Sequence, residues 1–246
     1  MQSPDHSGPA SQVAGAPRVG PQGPLCAHPG FASGTRLWLV RHGEVEAAAR
    51  GRAYGADDVP LAPEGRERSL ELAQSLARLD PACIFGSPLQ RALFLAQACA
   101  ERSGAPLSVE PGLAEINRGF WQQMEIEALH RLYPAAVADF RNDPWNFRGH
   151  GGENDADLAA RTWPVLARAC QVAPGRNVLL ICHYNVVRCL VMLALGLKPA
   201  QSFALRLDKA RALLLEDRPG GLHLAALNLF DPGAYVARDE HLGASR

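Results

Sequence analysis

The sequence predicts an α/β fold, a three-layer sandwich with a mostly parallel central sheet and helices on both faces. Short apolar runs recur at 37–40, 82–86 and 177–182, the pattern of strands buried on both sides. Between them lie segments whose apolar residues repeat at helical spacing, with Arg and Glu on the opposite face. Strands that alternate with helices build parallel sheets covered by those helices.

Each element follows from local pattern. Residues 1–34 hold six prolines and one aromatic residue, Phe31, and cannot bury enough apolar surface to offset their ordering entropy. They are expected to form a disordered tail, and a misassigned start is equally compatible with them. Leu37-Trp38-Leu39-Val40 is the first strand. A helix over 63–79 carries the stripe Leu70, Leu72, Ala73, Leu76, Ala77 and Leu79, with Pro63 suited to its first position and Ala62 a poor cap. A second strand, 82–86, leads to Ser87-Pro88-Leu89-Gln90. These four residues read as a capping box opening a helix that runs to about Ser103. A third strand spans 107–110. Residues 113–152 read as two short helical stretches and a polar loop. The stretch 153–172 is helical with a kink or break expected at Pro164. The strand 177–182 and the helix 184–196 follow, the latter ended by Gly196 and Pro199. A strand pair, 212–216 and 222–227, is joined by Pro219-Gly220-Gly221. No repeat or second boundary is visible, so one domain is expected over 35–232, with 233–246 as a C-terminal tail.

The composition excludes several classes. The chain has 246 residues with 25 Lys+Arg against 25 Asp+Glu, which disfavours a nucleic-acid or polybasic membrane-surface binder. No apolar run reaches the ~18 residues that span a bilayer, and the N-terminal residues lack the basic start and apolar stretch of a secretory signal. Six cysteines without a C-x-x-C suit buried, reduced thiols. A cytoplasmic location is therefore expected, with neither nucleic acid nor membrane as a partner; a homodimer is left open.

Ligands of open α/β sheets bind beyond the carboxyl ends of the strands. The residues that end the predicted strands are Arg41-His42-Gly43-Glu44, Ser87 to Arg91, the approach to Glu115, and His183-Tyr184-Asn185. Two histidines, two arginines and a carboxyl thus converge from distant segments. Arginine offers planar, permanently charged donors matched to phosphate. Helix N-termini add oriented N–H groups. A neutral imidazole is a competent nucleophile, Gly43 would let the backbone turn tightly and approach the phosphoryl group, and a carboxyl group can protonate a leaving oxygen. The set fits metal-free phosphoryl transfer through a phosphohistidine. No His-Glu-x-x-His or similar ligand spacing is present, and no metal or cofactor is expected.

These residues also carry a resemblance. Arg41-His42-Gly43-Glu44, then Gly51-Arg52, Gly55, Asp58, Pro60-Leu61 and Gly65, then Ser87-Pro88-Leu89-Gln90-Arg91-Ala92, resemble the histidine phosphatase superfamily. The stretch 115–121, Gly151-Gly152-Glu153-Asn154 and the residues from Cys182 to Arg188 continue the match in order, over about residues 35–200. The resemblance implies a phosphoglycerate mutase-like fold and a small-molecule phosphate ester as substrate. It also implies His42 as nucleophile, Arg41, Arg91 and His183 as phosphoryl ligands, and Glu115 as proton donor and later base. His183 thus counts among both the catalytic and the phosphate-binding residues.

Two positions depart from the pattern. Many members have Asn where this chain has Ala48, so that donor is absent or Arg52 or Tyr54 replaces it. Small residues commonly follow the second histidine; Tyr184 and Asn185 should narrow the pocket or add a polar contact. Glu44 is expected to order its loop, and Arg188 and Asn154 to support the site from behind. Tyr54, Phe120, Trp121, Trp145 and Phe147 either pack or line the pocket, and Cys182 reads as a small core residue. The expected activity is phosphomonoester hydrolysis. Residues 116–150 are short and contain no Lys, which disfavours a phosphoglycerate-type mutase. An α-ribazole phosphatase is a narrower version, and a non-catalytic anion- or partner-binding domain is the rival of another class.

Overall fold

The computed structural model describes residues 33–243, so the expected tail over 1–34 lies outside the described residues except for Ser33 and Gly34. Those two belong to the folded unit. The Ser33 amide donates to Asp217 Oδ2 at 2.9 Å, and the Gly34 amide to the Asp217 carbonyl at 3.0 Å.

Six strands form one sheet: β1 (Arg36–Arg41), β2 (Cys83–Gly86), β3 (Leu107–Val109), β4 (Asn177–Cys182), β5 (Arg211–Arg218) and β6 (Gly221–Leu229). Their spatial order is β3-β2-β4-β1-β5-β6. The pairs β3–β2, β2–β4 and β4–β1 are parallel, whereas β5 runs antiparallel to both β1 and β6. The sheet is therefore mixed but mostly parallel, as expected.

Among the described residues seven α-helices accompany it: α1 (Pro63–Ala77), α2 (Gln90–Ser103), α3 (Ile126–Leu132), α4 (Pro134–Asn142), α5 (Asp155–Val172), α6 (Tyr184–Leu195) and α7 (Pro232–Gly243). The alternation of side chains along each strand sorts the core into two layers. Trp38, Val40, Ile84, Leu179 and Ile181 pack with residues of α1 and α2. Leu37, Leu39, Phe85, Val178 and Leu180 pack with α5 and α6 on the other face. Residues 119–147 add a smaller cluster around Trp121, Leu129 and Val137.

Three expectations change. The segment after 232 is the helix α7 rather than a tail, and its Tyr235 and Val236 pack against the α1–α2 layer. Of the kink or break expected at Pro164, the break does not occur: helix α5 continues through Pro164, nine residues after its start. Its N-cap is Asn154, in a reciprocal capping box with Asp157. The predicted box at Ser87 does not form: α2 starts at Gln90, with Leu89 at its N-cap position and no side-chain cap from its own chain segment. Asp58, 32 residues upstream, accepts the Gln90 amide at 2.7 Å instead.

Behind the sheet ends, Arg188 of α6 and Asp155 of α5 form an ion pair in which both side chains are fully buried. Arg188 Nη1 and Nη2 donate to the two carboxylate oxygens at 2.9 and 2.6 Å, and Nη1 also donates to Ser202 Oγ at 2.6 Å. Removing one member of such a pair leaves an uncompensated buried charge. Asp155→Ala is expected to lower unfolding stability by about 3–5 kcal/mol in urea titration; a loss under about 1 kcal/mol would contradict this role.

Candidate active site

The chain leaves β1 toward α1 on one face and leaves β4 toward α6 on the other, and the two strands are neighbours. The sheet therefore opens a crevice between their carboxyl ends. Register sets what stands there. Arg41 pairs with Cys182 and Gly86 with Ile181, so His42, His183 and Ser87 each follow the end of an adjacent strand. The His42 amide donates to the Cys182 carbonyl at 3.2 Å and the Ser87 amide to the Ile181 carbonyl at 2.9 Å.

The His42 and His183 rings lie 5.1 Å apart, centroid to centroid, and both are buried. His42 Nδ1 is 2.7 Å from the Gly43 carbonyl oxygen. A carbonyl can only accept, so Nδ1 carries the proton and Nε2 keeps its lone pair. His183 Nε2 is 2.7 Å from Ser87 Oγ. Ser87 Oγ also accepts the Leu89 amide at 3.3 Å; with its hydroxyl hydrogen given to His183 Nε2, the ring proton sits on Nδ1. Burial holds the His42 imidazole well below its ordinary value, and the guanidinium groups of Arg91 and Arg41 add to this. His183 is lowered likewise, first by burial, then by His42 and Arg91.

The sequence expected Gly43 to permit a tight turn. Its φ is not in the left-handed region; it is packed against α1 instead. A Cβ there would lie 2.5 Å from the Gly65 carbonyl, and one on Gly65 would lie 2.0 Å from the Glu44 carbonyl. The two glycines let the His42 loop seat directly on the first turns of α1.

Arg41 and Arg91 are each held through backbone carbonyls. Arg41 Nη1 donates to Leu207 O at 2.5 Å, and its guanidinium lies 5.1 Å over the Tyr184 ring. Arg91, with no exposed surface, donates to Asp57 O and Gly55 O at 2.6 and 2.7 Å and lies 5.0 Å from the Tyr54 ring centroid. Neither makes an ion pair with a carboxylate among the described residues. Arg41 Nε, Arg91 Nε and His183 Nδ1 are buried without a hydrogen-bond partner there. Buried polar groups are normally satisfied, and unpaired donors drawn from three segments mark a place built for an anion.

Glu115 stands beside them, 5% exposed. Its Oε1 accepts the Ile116 amide at 2.8 Å, and its Oε2 accepts the Asn185 amide and Nδ2 at 3.2 and 3.3 Å. Arg161 of α5 fixes the backbone beneath, donating to the carbonyls of Gly112, Ala114 and Glu115. Asn185, expected to add a polar contact, thus orients the carboxyl, while Tyr184 stacks on Arg41. Glu44 orders its loop, accepting from Val45 N at 3.0 Å and from Lys209 Nζ at 2.6 Å.

A cavity of about 280 Å³ opens beside this group, lined among others by Arg41, Arg52, Tyr54, Arg118, Tyr184 and Asn185. Arg52 and Tyr54 both line this cavity, whereas Ala48 lines an adjoining hollow that shares Arg50, Gly51, Arg52 and Ile126 with it. Trp121 and Phe147 pack with Phe140 and His150, Trp145 is core, and Phe120 is exposed. Cys182 is fully buried, and burial pushes its thiol up. Sequence reasoning missed Ser87 as a partner of His183, and it missed Arg118, Arg161 and Lys209.

A mostly parallel sheet with paired histidines and arginines at its carboxyl edge defines a class of phosphoryl-handling proteins, and the comparisons agree. The family described as histidine phosphatase superfamily (branch 1) matches residues 37–229, and the chain belongs to it. A glucosyl-3-phosphoglycerate phosphatase of Mycolicibacterium vanbaalenii is 34% identical over 66% of this chain and 75% of its own length. The probable phosphoglycerate mutase GpmB of Salmonella paratyphi C is 28% identical over 70% of this chain and 80% of its own. The native structure of a mycobacterial glucosyl-3-phosphoglycerate phosphatase superposes with a TM-score of 0.70 at 28% identity, covering 78% of this chain and 98% of that one. The α-ribazole phosphatase of Shigella flexneri shares the fold, with a TM-score of 0.69 at 24% identity over 79% of this chain and 96% of that one.

The buried imidazoles make stability depend on pH. His42 and His183 are lowered, and His150 is pushed down to about 4, in each case chiefly by burial. Their stabilisation is complete above the unfolded value, roughly 6.5. It is lost as pH falls below that toward the folded values, because the unfolded chain takes up protons first. Each such histidine contributes a slope of up to about 1.4 kcal/mol per pH unit. The urea midpoint is expected to fall between pH 7.5 and 5.5; an unchanged midpoint would contradict the neutral, buried pair.

Proposed function

We propose that His42 Nε2 is the nucleophile of a metal-independent phosphomonoesterase, with Arg41, Arg91 and His183 as phosphoryl ligands and Glu115 as acid and base. The chain is a phosphoric monoester hydrolase of the histidine phosphatase superfamily. The observation that carries the assignment is the shared set of unpaired buried donors on Arg41, Arg91 and His183 beside a neutral imidazole whose Nδ1 proton is committed to Gly43.

In the first step the Nε2 lone pair attacks phosphorus, the bond to the ester oxygen breaks, and Glu115 delivers its proton to the departing alkoxide. Arg41, Arg91 and His183 hold the three non-bridging oxygens through this charge shift, and donors already in place cost no reorganisation as charge develops. In the second step Glu115 takes a proton from water, the oxygen attacks the phosphorus of the phosphohistidine, and the N–P bond breaks to release phosphate. Positive charge from guanidinium groups does the work that a metal ion does in other phosphatases, so activity should survive excess chelator.

A phosphoglycerate-type mutase would use further basic residues from the 116–150 segment to close over its substrate. That segment contributes only Arg118 and Ile126 to the cavity wall, which favours hydrolysis. The substrate is a small organic phosphate ester, and glucosyl-3-phosphoglycerate, named for the relatives, is the first to try.

With a chromogenic phosphomonoester, His42→Ala is expected to abolish turnover, and Glu115→Gln to lower kcat by about 10²–10⁴ while the protein stays folded. Equal rates in the His42→Ala and unaltered proteins would defeat the assignment, and no turnover by either would favour a binding domain.

A further inference from the structure

In the motif Gly151-Gly152-Glu153-Asn154, Asn154 caps α5, whereas Glu153 stands outside the set of phosphoryl donors. Its carboxylate serves two partners. Oε1 and Oε2 accept from Arg161 Nε and Nη2 at 2.8 and 2.9 Å, a bidentate pair. Oε2 also accepts the Asn117 amide at 2.9 Å, and the Glu153 amide donates to the Asn117 carbonyl at 2.8 Å. Burial alone would raise this carboxyl, but Arg161 and the Asn117 amide outweigh it and hold the group below its ordinary value. Glu153 is therefore charged at neutral pH.

The bidentate pair fixes the plane of the Arg161 guanidinium. The rest of that plane then faces the chain before Glu115. Arg161 Nη1 donates to the carbonyls of Gly112 and Ala114 at 2.8 and 2.7 Å, and Nη2 to that of Glu115 at 3.2 Å. The backbone from 112 to 117 is thus tied to the start of α5 on both sides of Glu115. Asn117 and Glu153 also close the neck of the excursion that carries α3, α4 and the cluster around Trp121. Arg118 and Ile126 of that excursion line the cavity, and Glu115 lies on the α5 side of the neck. From α6, Asn185 reaches the Glu115 carboxyl directly. The contact from α5 is through the backbone alone, so its effect on chemistry passes through where Glu115 stands.

Resting on the phosphatase reading above, we propose that Glu153 is a positioning residue: by aligning Arg161 and clasping Asn117, it sets the Glu115 carboxyl at the departing oxygen. Glu153 itself takes no part in the bond changes.

The test uses two esters of similar bulk. The 4-nitrophenolate ion leaves with little help, whereas the alkoxide of benzyl phosphate needs a proton as it departs. The quantity compared is kcat/KM, which covers the steps through loss of the ester oxygen and leaves out the later role of Glu115 as base. Glu153→Gln should lower kcat/KM for benzyl phosphate by about 10–100-fold and for 4-nitrophenyl phosphate by less than about threefold, because a misplaced proton donor matters only to the first. Inhibition by inorganic phosphate should not change, since Arg41, Arg91 and His183 are untouched. In a Glu115→Gln background the same substitution should cost nothing further with benzyl phosphate. Arg161→Lys, which keeps the charge and loses the planar fork, is the second variant and should show the same selectivity. Equal losses for both esters, no loss for either, or a further loss in the Glu115→Gln background would overturn the proposal. Turnover of neither ester by the unaltered protein would defeat the phosphatase reading itself, whereas turnover of both without selective loss in the variants defeats this inference alone.

Discussion

The site depends on one short contact, between His42 Nδ1 and the carbonyl of its own neighbour, Gly43, at 2.7 Å. It settles which ring nitrogen bears the proton, and it turns the other toward the crevice with its lone pair free. The contact can form because Gly43 and Gly65 let the loop after β1 press onto α1, where a Cβ at either position would collide with backbone. Burial then keeps the ring neutral, helped by the guanidinium groups of Arg91 and Arg41. In the proposed reaction the features that make the imidazole reactive are the same ones that hold it in place.

Such a site is held against its own electrostatics. Arg41, Arg91 and Arg118 are held by carbonyls, an amide oxygen and aromatic faces, with no carboxylate in an ion pair among the described residues. Arg188, one layer deeper, has a full ion pair with Asp155. The difference suits the proposed reaction, in which a cation that serves the scaffold is neutralised internally and one that serves an anionic ligand keeps its charge unspent. Local strain accumulates nearby as well: Ala210, whose amide donates to the His42 carbonyl at 3.1 Å, has a φ of 48°.

Much of this was legible in the sequence because parallel strands announce themselves as apolar runs, and their carboxyl ends fall at countable positions. His42, His183 and Arg41 needed no more than that. Glu115 is held by Arg161, a helix residue 46 positions away whose pattern is that of any solvated arginine. Ser87 misled because a Ser followed by Pro and Gln reads as a cap; here the hydroxyl is taken by His183, and Asp58 caps the helix from a distant loop. Arg118 gave no signal, since a charged residue in an irregular stretch is ordinarily exposed. Helix α7 was missed because few apolar residues mark its sequence; Tyr235 and Val236 are among those that pack on the core. What local pattern cannot convey is which side chain from a distant segment arrives to satisfy a group.

The central claim is that His42 Nε2 bonds transiently to phosphorus. Rapid acid-free quenching during turnover of a labelled phosphomonoester, followed by peptide mapping, tests it most directly. The account predicts a base-stable, acid-labile phosphoryl group on the peptide containing His42, and none when that residue is Ala. Steady turnover with no adduct at any time, or an adduct on another residue, would contradict it.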